Sequence, residues 1–288
     1  MSWRIFLLSL SNIFIMKNVC TIFICLILFV LNSCAPKPYA EANQSYKTQA
    51  KTFSKQLIGL PTIEANDTIK ASPFMVGTTN FNLRKPNFVI IHHTAQNGCP
   101  ETLKTFTNVA SKVSAHYVIC KDGTVHHMLN DYMRAWQAGV SKWGNATDIN
   151  SVSIGIEIDN NGFEPFTDAQ INSLISVLNK LKKDYDIPAA NFIGHGDIAP
   201  GRKVDPSAYF PWKKLADNGF GLWYDNVRDS VPDNFNNVQA LRIIGYNVKD
   251  TTNAIRAFKR HFFSDTTKSK ILSDTARSVL YNLQKKYM

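Results

Sequence analysis

The chain has 288 residues, 44% of them hydrophobic and 19% charged, and carries a formal net charge of +10. That apolar content supports buried cores and excludes a wholly disordered or fibrous chain. Lys and Arg nowhere form a run interleaved with aromatics, which argues against nucleic acid as a partner and leaves a membrane surface or an anionic polymer to match the positive charge.

Two apolar patches open the chain. The first is Ile5 to Leu10. Met16-Lys17-Asn18 then leads into Val19 to Leu31 and on to Asn32-Ser33-Cys34. A short positive start, an apolar stretch and a small residue at the cut are the order of a secretory signal. The stretch falls short of the roughly 20 residues a membrane-spanning helix needs. Residues 1–33 are therefore read as a signal peptide, with Met16 as a candidate true start. Leu31-Asn32-Ser33-Cys34 resembles a bacterial lipobox, which implies that Cys34 becomes the first mature residue and carries lipid. Ala35, rather than an acid, follows it, and by the same resemblance the address is the outer membrane, facing the periplasm. Residues 34–71 are polar, with Pro36 and Pro38, and read as a tether.

The first strong strand is Phe88-Val89-Ile90-Ile91-His92. Leu103, Phe106 and Ala110 have helical spacing over 101–110, with Pro100 suited to the first turn. His116 to Cys120 and Val125 to Leu129 are strand-like runs around Asp122-Gly123, a strong hairpin signal. In the strand from Ser151 to Asp159, Ile154, Ile156 and Ile158 share one face, and Gly155, Glu157 and Asp159 share the other. Thr167 and Gln170 make a capping box ahead of a helix whose apolar face runs from Ile171 to Tyr185. Asn191 to His195 is a short strand entering a Gly/Pro-rich loop. The pattern predicts an α/β fold over 72–223, a mixed central β-sheet flanked by helices. Residues 224–288 change to three helical stretches, read as a small C-terminal three-helix domain with Gly245 closing the first and Thr252 and Ser273 capping the others. Cys99 and Cys120 remain in an exported, oxidising setting that permits a disulfide, though spacing leaves their pairing open.

The candidate chemistry begins with two histidines and an acid. His92 and His93 face opposite sides of their strand, so only one enters a given site. His195 ends a strand, a Gly/Pro loop turns the chain, and Asp205 follows ten residues later. Two imidazoles and a carboxylate suit Zn²⁺ and leave a fourth position for water. Spacing on its own makes such a site possible and no more.

Five ordered blocks make the resemblance specific. They are Val89 to Ala95, Ser114 to Ile119 with Asp122-Gly123, Ala135 to Gly139, Ser153 to Glu157, and His195 to Pro206. Together they resemble the N-acetylmuramoyl-L-alanine amidase (amidase-2) family, with its relatives among peptidoglycan-recognition proteins. Residues 224–288 resemble the peptidoglycan-binding domain of its lipid-anchored members. The resemblance implies that His92, His195 and Asp205 hold zinc, that Glu157 is the catalytic acid and Lys203 the catalytic lysine, and that the partner is peptidoglycan or its muropeptides. His116 falls where phage-type relatives place an active-site tyrosine, so it either lines the cleft or sits in the core. Trp136 either stacks on substrate or packs inside, and Gln137 is a candidate substrate contact. Gln137 and Ser207 depart from the family's usual His and Gly, which puts substrate contacts and loop shape in question. Two other functions fit the same blocks: a non-catalytic recognition module, or a zinc peptidase cutting within the stem peptide. Retention of all five key residues favours the amidase.

Overall fold

The computed structural model describes residues 37–58, 78, 83, 85–226 and 229–288. The expected signal peptide and Cys34 lie outside them. The chain divides into two compact units, Met1–Gly77 and Thr78–Met288. In the first, helix α1 (Ala40–Ile58) stands where an irregular tether was expected. No Gly or Pro interrupts its 19 residues, and its Ala, Gln and Lys are good helix formers. None of its residues is buried, so no core had to impose a strong apolar period on it. Among the described residues, no helix is long and apolar enough to cross a membrane.

The second unit is built on five strands: β1 (Phe88–His93), β2 (Tyr117–Ile119), β3 (Val125–His127), β4 (Ser153–Ile158) and β5 (Phe192–Gly194). Their order is β3-β2-β4-β1-β5. β1 runs parallel to β4 and β5, and β2 parallel to β4, while β3 joins antiparallel through the expected hairpin. The helices that follow are α2 (Cys99–Thr107), α3 (Ile149–Val152), α4 (Asp168–Tyr185), α5 (His195–Ile198), α6 (Trp212–Asp217), α7 (Asn237–Ile244), α8 (Thr251–Phe263) and α9 (Asp274–Gln284).

Strand alternation assigns the two faces. Val89, Ile91, Ile154, Ile156 and Ile158 pack against α4 through Ile171, Leu174, Leu178 and Leu181. Thr167 and Gln170 start α4 with the full capping box. On the opposite face Ile90 and Ile193 share one cluster with Leu241, Phe258 and Leu280 of the three C-terminal helices. The helices form where the periodicity placed them, and their core is continuous with that of the sheet. Ser273 caps α9 and Gly245 closes α7 as expected. The cap of α8 is Asp250, not Thr252, because the Asp250 side chain accepts from Asn253 N.

Cys99 and Cys120 are joined in a disulfide that ties the start of α2 to the end of β2. It spans 21 residues, long enough for loop closure to matter. Replacing both cysteines with Ser is expected to lower unfolding free energy by about 2–4 kcal/mol. The midpoint of denaturant unfolding measures this, and an unchanged midpoint would show that the bridge adds nothing.

Candidate metal centre and active site

The parallel strands bring the chemistry together at their carboxyl ends, where open α/β sheets present ligand sites. His92 is the fifth residue of β1 and lies directly beside Glu157 of β4. β5 pairs Gly194 with Ile91, so His195 emerges one step further on, next to His92. Gly196 N then donates to Asp205 O at 2.6 Å, folding the ten-residue loop back so that Asp205 returns to both histidines.

Asp205 Oδ2 lies 3.0 Å from His92 Nδ1 and 3.0 Å from His195 Nδ1. The imidazole rings meet edge to face with centroids 4.5 Å apart. All three side chains can present one ligand atom within 4.8 Å of the others, and His92 and His195 are buried. The far nitrogens are also engaged: His92 Nε2 is 2.6 Å from Gln137 Oε1, and His195 Nε2 is 3.0 Å from Ala138 O. With Nε2 donating outward, a neutral imidazole at either position would keep its Nδ1 lone pair for a metal, whereas a proton on Nδ1 is donated to Asp205. Two imidazole nitrogens and one carboxylate oxygen converging on a point fit a divalent transition metal, zinc among them.

Electrostatics follows from burial. Burial pushes Glu157 up to about 7, while the neighbouring His92 and Lys203 charges pull the other way. Burial likewise pushes His195 down to about 4, with His92 adding to the effect. On His92 burial acts downward, but the charge of Glu157 and the hydrogen bond to Asp205 outweigh it, so its pKa lies above the ordinary value. Asp205 resists burial because both histidines bond it, and its carboxyl is held well below the usual carboxylate range. Glu157 Oε1 is 4.0 Å from His92 Nδ1, and its Oε2 is buried with no hydrogen-bond partner. A carboxylate oxygen left unmatched in such a place is ready to accept a proton.

The loop is braced from three sides. His93, on the far face of β1, accepts from Ser207 N at 2.9 Å and so holds the segment just past Asp205. Arg202 donates to Ala138 O and Val140 O. Asp197 accepts from Gly194 N at 2.9 Å, from Tyr246 OH at 2.9 Å and from His261 Nδ1 at 2.7 Å.

The expected metal ligands and Glu157 are thus brought together, and half-buried Lys203 sits two residues before Asp205 on the same loop. The structure places three further residues. His116 is fully buried; its Nδ1 accepts from Gly155 N and its Nε2 bonds Met133 O, so it offers no polar atom to a cleft. Gln137 faces His92, which engages its amide oxygen. Trp136 is 54% exposed and so is not a core residue, whereas Trp143 is buried against Tyr246. Two residues escaped the sequence reading as contributors to the site: Asp197 and His261. His261 lies three residues from Phe258 on the buried face of α8, a position that helical spacing marks.

Comparison with known proteins agrees with this geometry. Residues 82–208 match the family model described as N-acetylmuramoyl-L-alanine amidase. The chain is 33% identical over 206 residues to the Escherichia coli N-acetylmuramoyl-L-alanine amidase AmiD, covering 60% of this chain and 74% of that protein. It is 41% identical over 104 residues to the Haemophilus influenzae 1,6-anhydro-N-acetylmuramyl-L-alanine amidase AmpD, spanning 36% of this chain and 56% of that one. Among solved structures, it is similar to E. coli AmiD in complex with the substrate anhydro-N-acetylmuramic acid-L-Ala-D-gamma-Glu-L-Lys, with a TM-score of 0.64 and 28% identity. That match covers 78% of this chain and 98% of AmiD. AmpDh3 from Pseudomonas aeruginosa, in complex with anhydromuramic pentapeptide, matches with a TM-score of 0.65 and 28% identity, over 77% of this chain and 99% of its own. The candidate site lies within the matched residues, the match to AmiD covers 74% of that protein at 33% identity, and the chain therefore belongs to the N-acetylmuramoyl-L-alanine amidase family.

Proposed function

We propose that the chain hydrolyses the amide between N-acetylmuramic acid and L-alanine in peptidoglycan or its fragments, with zinc held by His92, His195 and Asp205. The observation that carries this reading is Glu157: a buried, unpartnered carboxylate oxygen beside a converging His-His-Asp set. When bound, zinc supplies Lewis acidity and brings the pKa of water down to about 7. Glu157 accepts the proton of the attacking water and returns it to the leaving amine, a role worth typically ~10²–10⁴-fold. Lys203 stabilises the oxyanion of the tetrahedral state with a fixed positive charge. The outward hydrogen bonds of both histidines hold their rings so that the neutral imidazoles would offer Nδ1 to the metal.

Digestion of purified sacculi, with and without a chelator, tests the proposal by mass spectrometry. Amidase action releases stem peptides and leaves free lactyl groups on muramic acid, and the chelator abolishes it. Intact muramyl-alanine would point to a peptidase, and no release at all would point to a recognition module.

The N-terminal sequence supports a lipoprotein with its place at the outer membrane, facing the periplasm. Cys34 is its anchoring residue, and residues 224–288 hold the polymer. Cys34→Ala is expected to move the protein from the membrane pellet to the soluble fraction after osmotic lysis. Retention in the pellet would assign anchoring to the apolar patches of residues 1–33.

A further inference from the structure

We infer that Gln137 is a positioning residue that fixes the tautomer and ring plane of His92. This inference rests on the metal centre proposed above. The chain of protons runs in one direction only. Ser153 Oγ donates to Ile149 O at 2.6 Å, so its single proton is committed. Ser153 Oγ must therefore accept from Gln137, whose Nε2 lies 2.8 Å away. That orients the amide, leaving Oε1 toward His92 Nε2 at 2.6 Å. An amide oxygen cannot donate, so His92 Nε2 carries a hydrogen, and in the neutral ring the lone pair is then left on Nδ1.

The surroundings fit this task. Gln137 N and Ala138 N both donate to Asn150 Oδ1, at 3.2 and 2.8 Å, which pins the backbone of the segment. Gly155 of β4 makes room for the side chain, since a Cβ there would stand 2.5 Å from Gln137 Cγ. The next residue performs the same task for the second histidine: Ala138 O accepts from His195 Nε2. Two consecutive residues thus orient two histidines, one through a side chain and one through the backbone. Only the first can be altered by mutation without moving the chain. Partners of this kind typically change metal affinity about 10–100-fold when removed.

Three full-length chains test this: wild type, Gln137→Leu and Gln137→Glu. Zinc affinity is read by competition with a chromogenic chelator. The His92 tautomer is read in metal-free protein, at a pH high enough for the ring to be neutral, by long-range ¹⁵N–¹H NMR correlations. Gln137→Leu, which cannot accept, is expected to weaken zinc about 10–100-fold and to populate the second His92 tautomer. Gln137→Glu gives up the bond to Ser153 but still accepts from His92 Nε2, and is expected to keep the wild-type tautomer and to bind zinc more tightly than the Leu variant. A general packing defect would not be rescued by a carboxylate. Should Gln137→Leu fail to fold, Ser153→Ala removes the amide's anchor and is expected to mix the tautomers in the same direction. Wild-type affinity and tautomer in the Leu variant, or in Ser153→Ala if that must stand in, would overturn the role of Gln137. A wild-type chain that binds no zinc would overturn the metal centre, while the tautomer measurement would still decide on Gln137.

Discussion

Glu157→Gln is expected to retain zinc and to lose ~10²–10⁴-fold in kcat on a muramyl peptide. The amide is close to isosteric with the carboxyl and keeps the site filled, so the loss reports the missing proton acceptor. Glu157 lies 4.0 Å from His92 and is not one of the three converging ligand groups, which is why metal uptake survives. The same variant has a second, opposite signature in metal-free protein. Burial raises the folded-state pKa of Glu157 from 4.5 to about 7. Below pH 4.5 the carboxyl is neutral in both states and costs nothing. As pH rises through that window, the unfolded chain ionises first, so the native state loses stability and stays weakened above about 7. Gln does not titrate. Glu157→Gln should therefore match wild type near pH 4 and exceed it by on the order of 3 kcal/mol at pH 8. Thermal melts at the two pH values, set beside kcat, measure both halves. A variant that cuts within tenfold of wild type would remove Glu157 from the chemistry. One with no stability gain at high pH would show that its burial imposes no penalty. The residue is costly to the metal-free fold because it is placed for the reaction.

How far the sequence reached depends on the kind of contact involved. Period-2 alternation in Ser153 to Ile158 showed both the core face and the position of Glu157, because the isoleucines fall on one face and the small and polar residues on the other. The same logic found the capping box of α4 and the hairpin at Asp122-Gly123. His92, His195 and Asp205 were legible only through the blocks that resemble the family, since 113 residues separate His92 from Asp205 and no local rule joins them. Contacts between polar side chains on distant elements left no periodic trace. Gln137 showed only as a departure from the family, and its bond to His92 needed the register of β1 with β4. α1 was missed for the opposite reason: it buries nothing, so composition was its only mark. The boundary expected at residue 223 rested on a change in character, whereas Ile90, Ile193 and Phe258 share one cluster.

Asp197→Ala is expected to cost about 3–5 kcal/mol of stability, the range for breaking a buried charged network from one side. Asp197 is 4% exposed and serves three donors from three parts of the chain. Gly194 N belongs to the end of β5, Tyr246 OH to the turn after α7, and His261 Nδ1 to α8. Removing the carboxylate strands all three at once, and each unsatisfied buried donor carries a penalty of about 1–3 kcal/mol. Neither ring can readily turn away to find water. His261 is stacked on Trp212 with centroids 4.0 Å apart, and Tyr246 lies edge-on to Trp143 at 5.0 Å. Tyr246→Phe removes a single donor and should cost about 1 kcal/mol. In the Asp197→Ala background the same change should cost less still, because the hydroxyl has already lost its acceptor. Urea unfolding of the two single variants and the double variant measures the coupling. A loss below about 1 kcal/mol for Asp197→Ala, or strict additivity with Tyr246→Phe, would show that the network is not cooperative. The position of this carboxylate gives the result its meaning for function. Asp197 follows His195 by two residues on α5 and is held by two residues from the C-terminal helices. The helices that resemble a polymer-binding module therefore also set the frame for a histidine of the candidate metal site, and loosening their grip on Asp197 should loosen His195 with it.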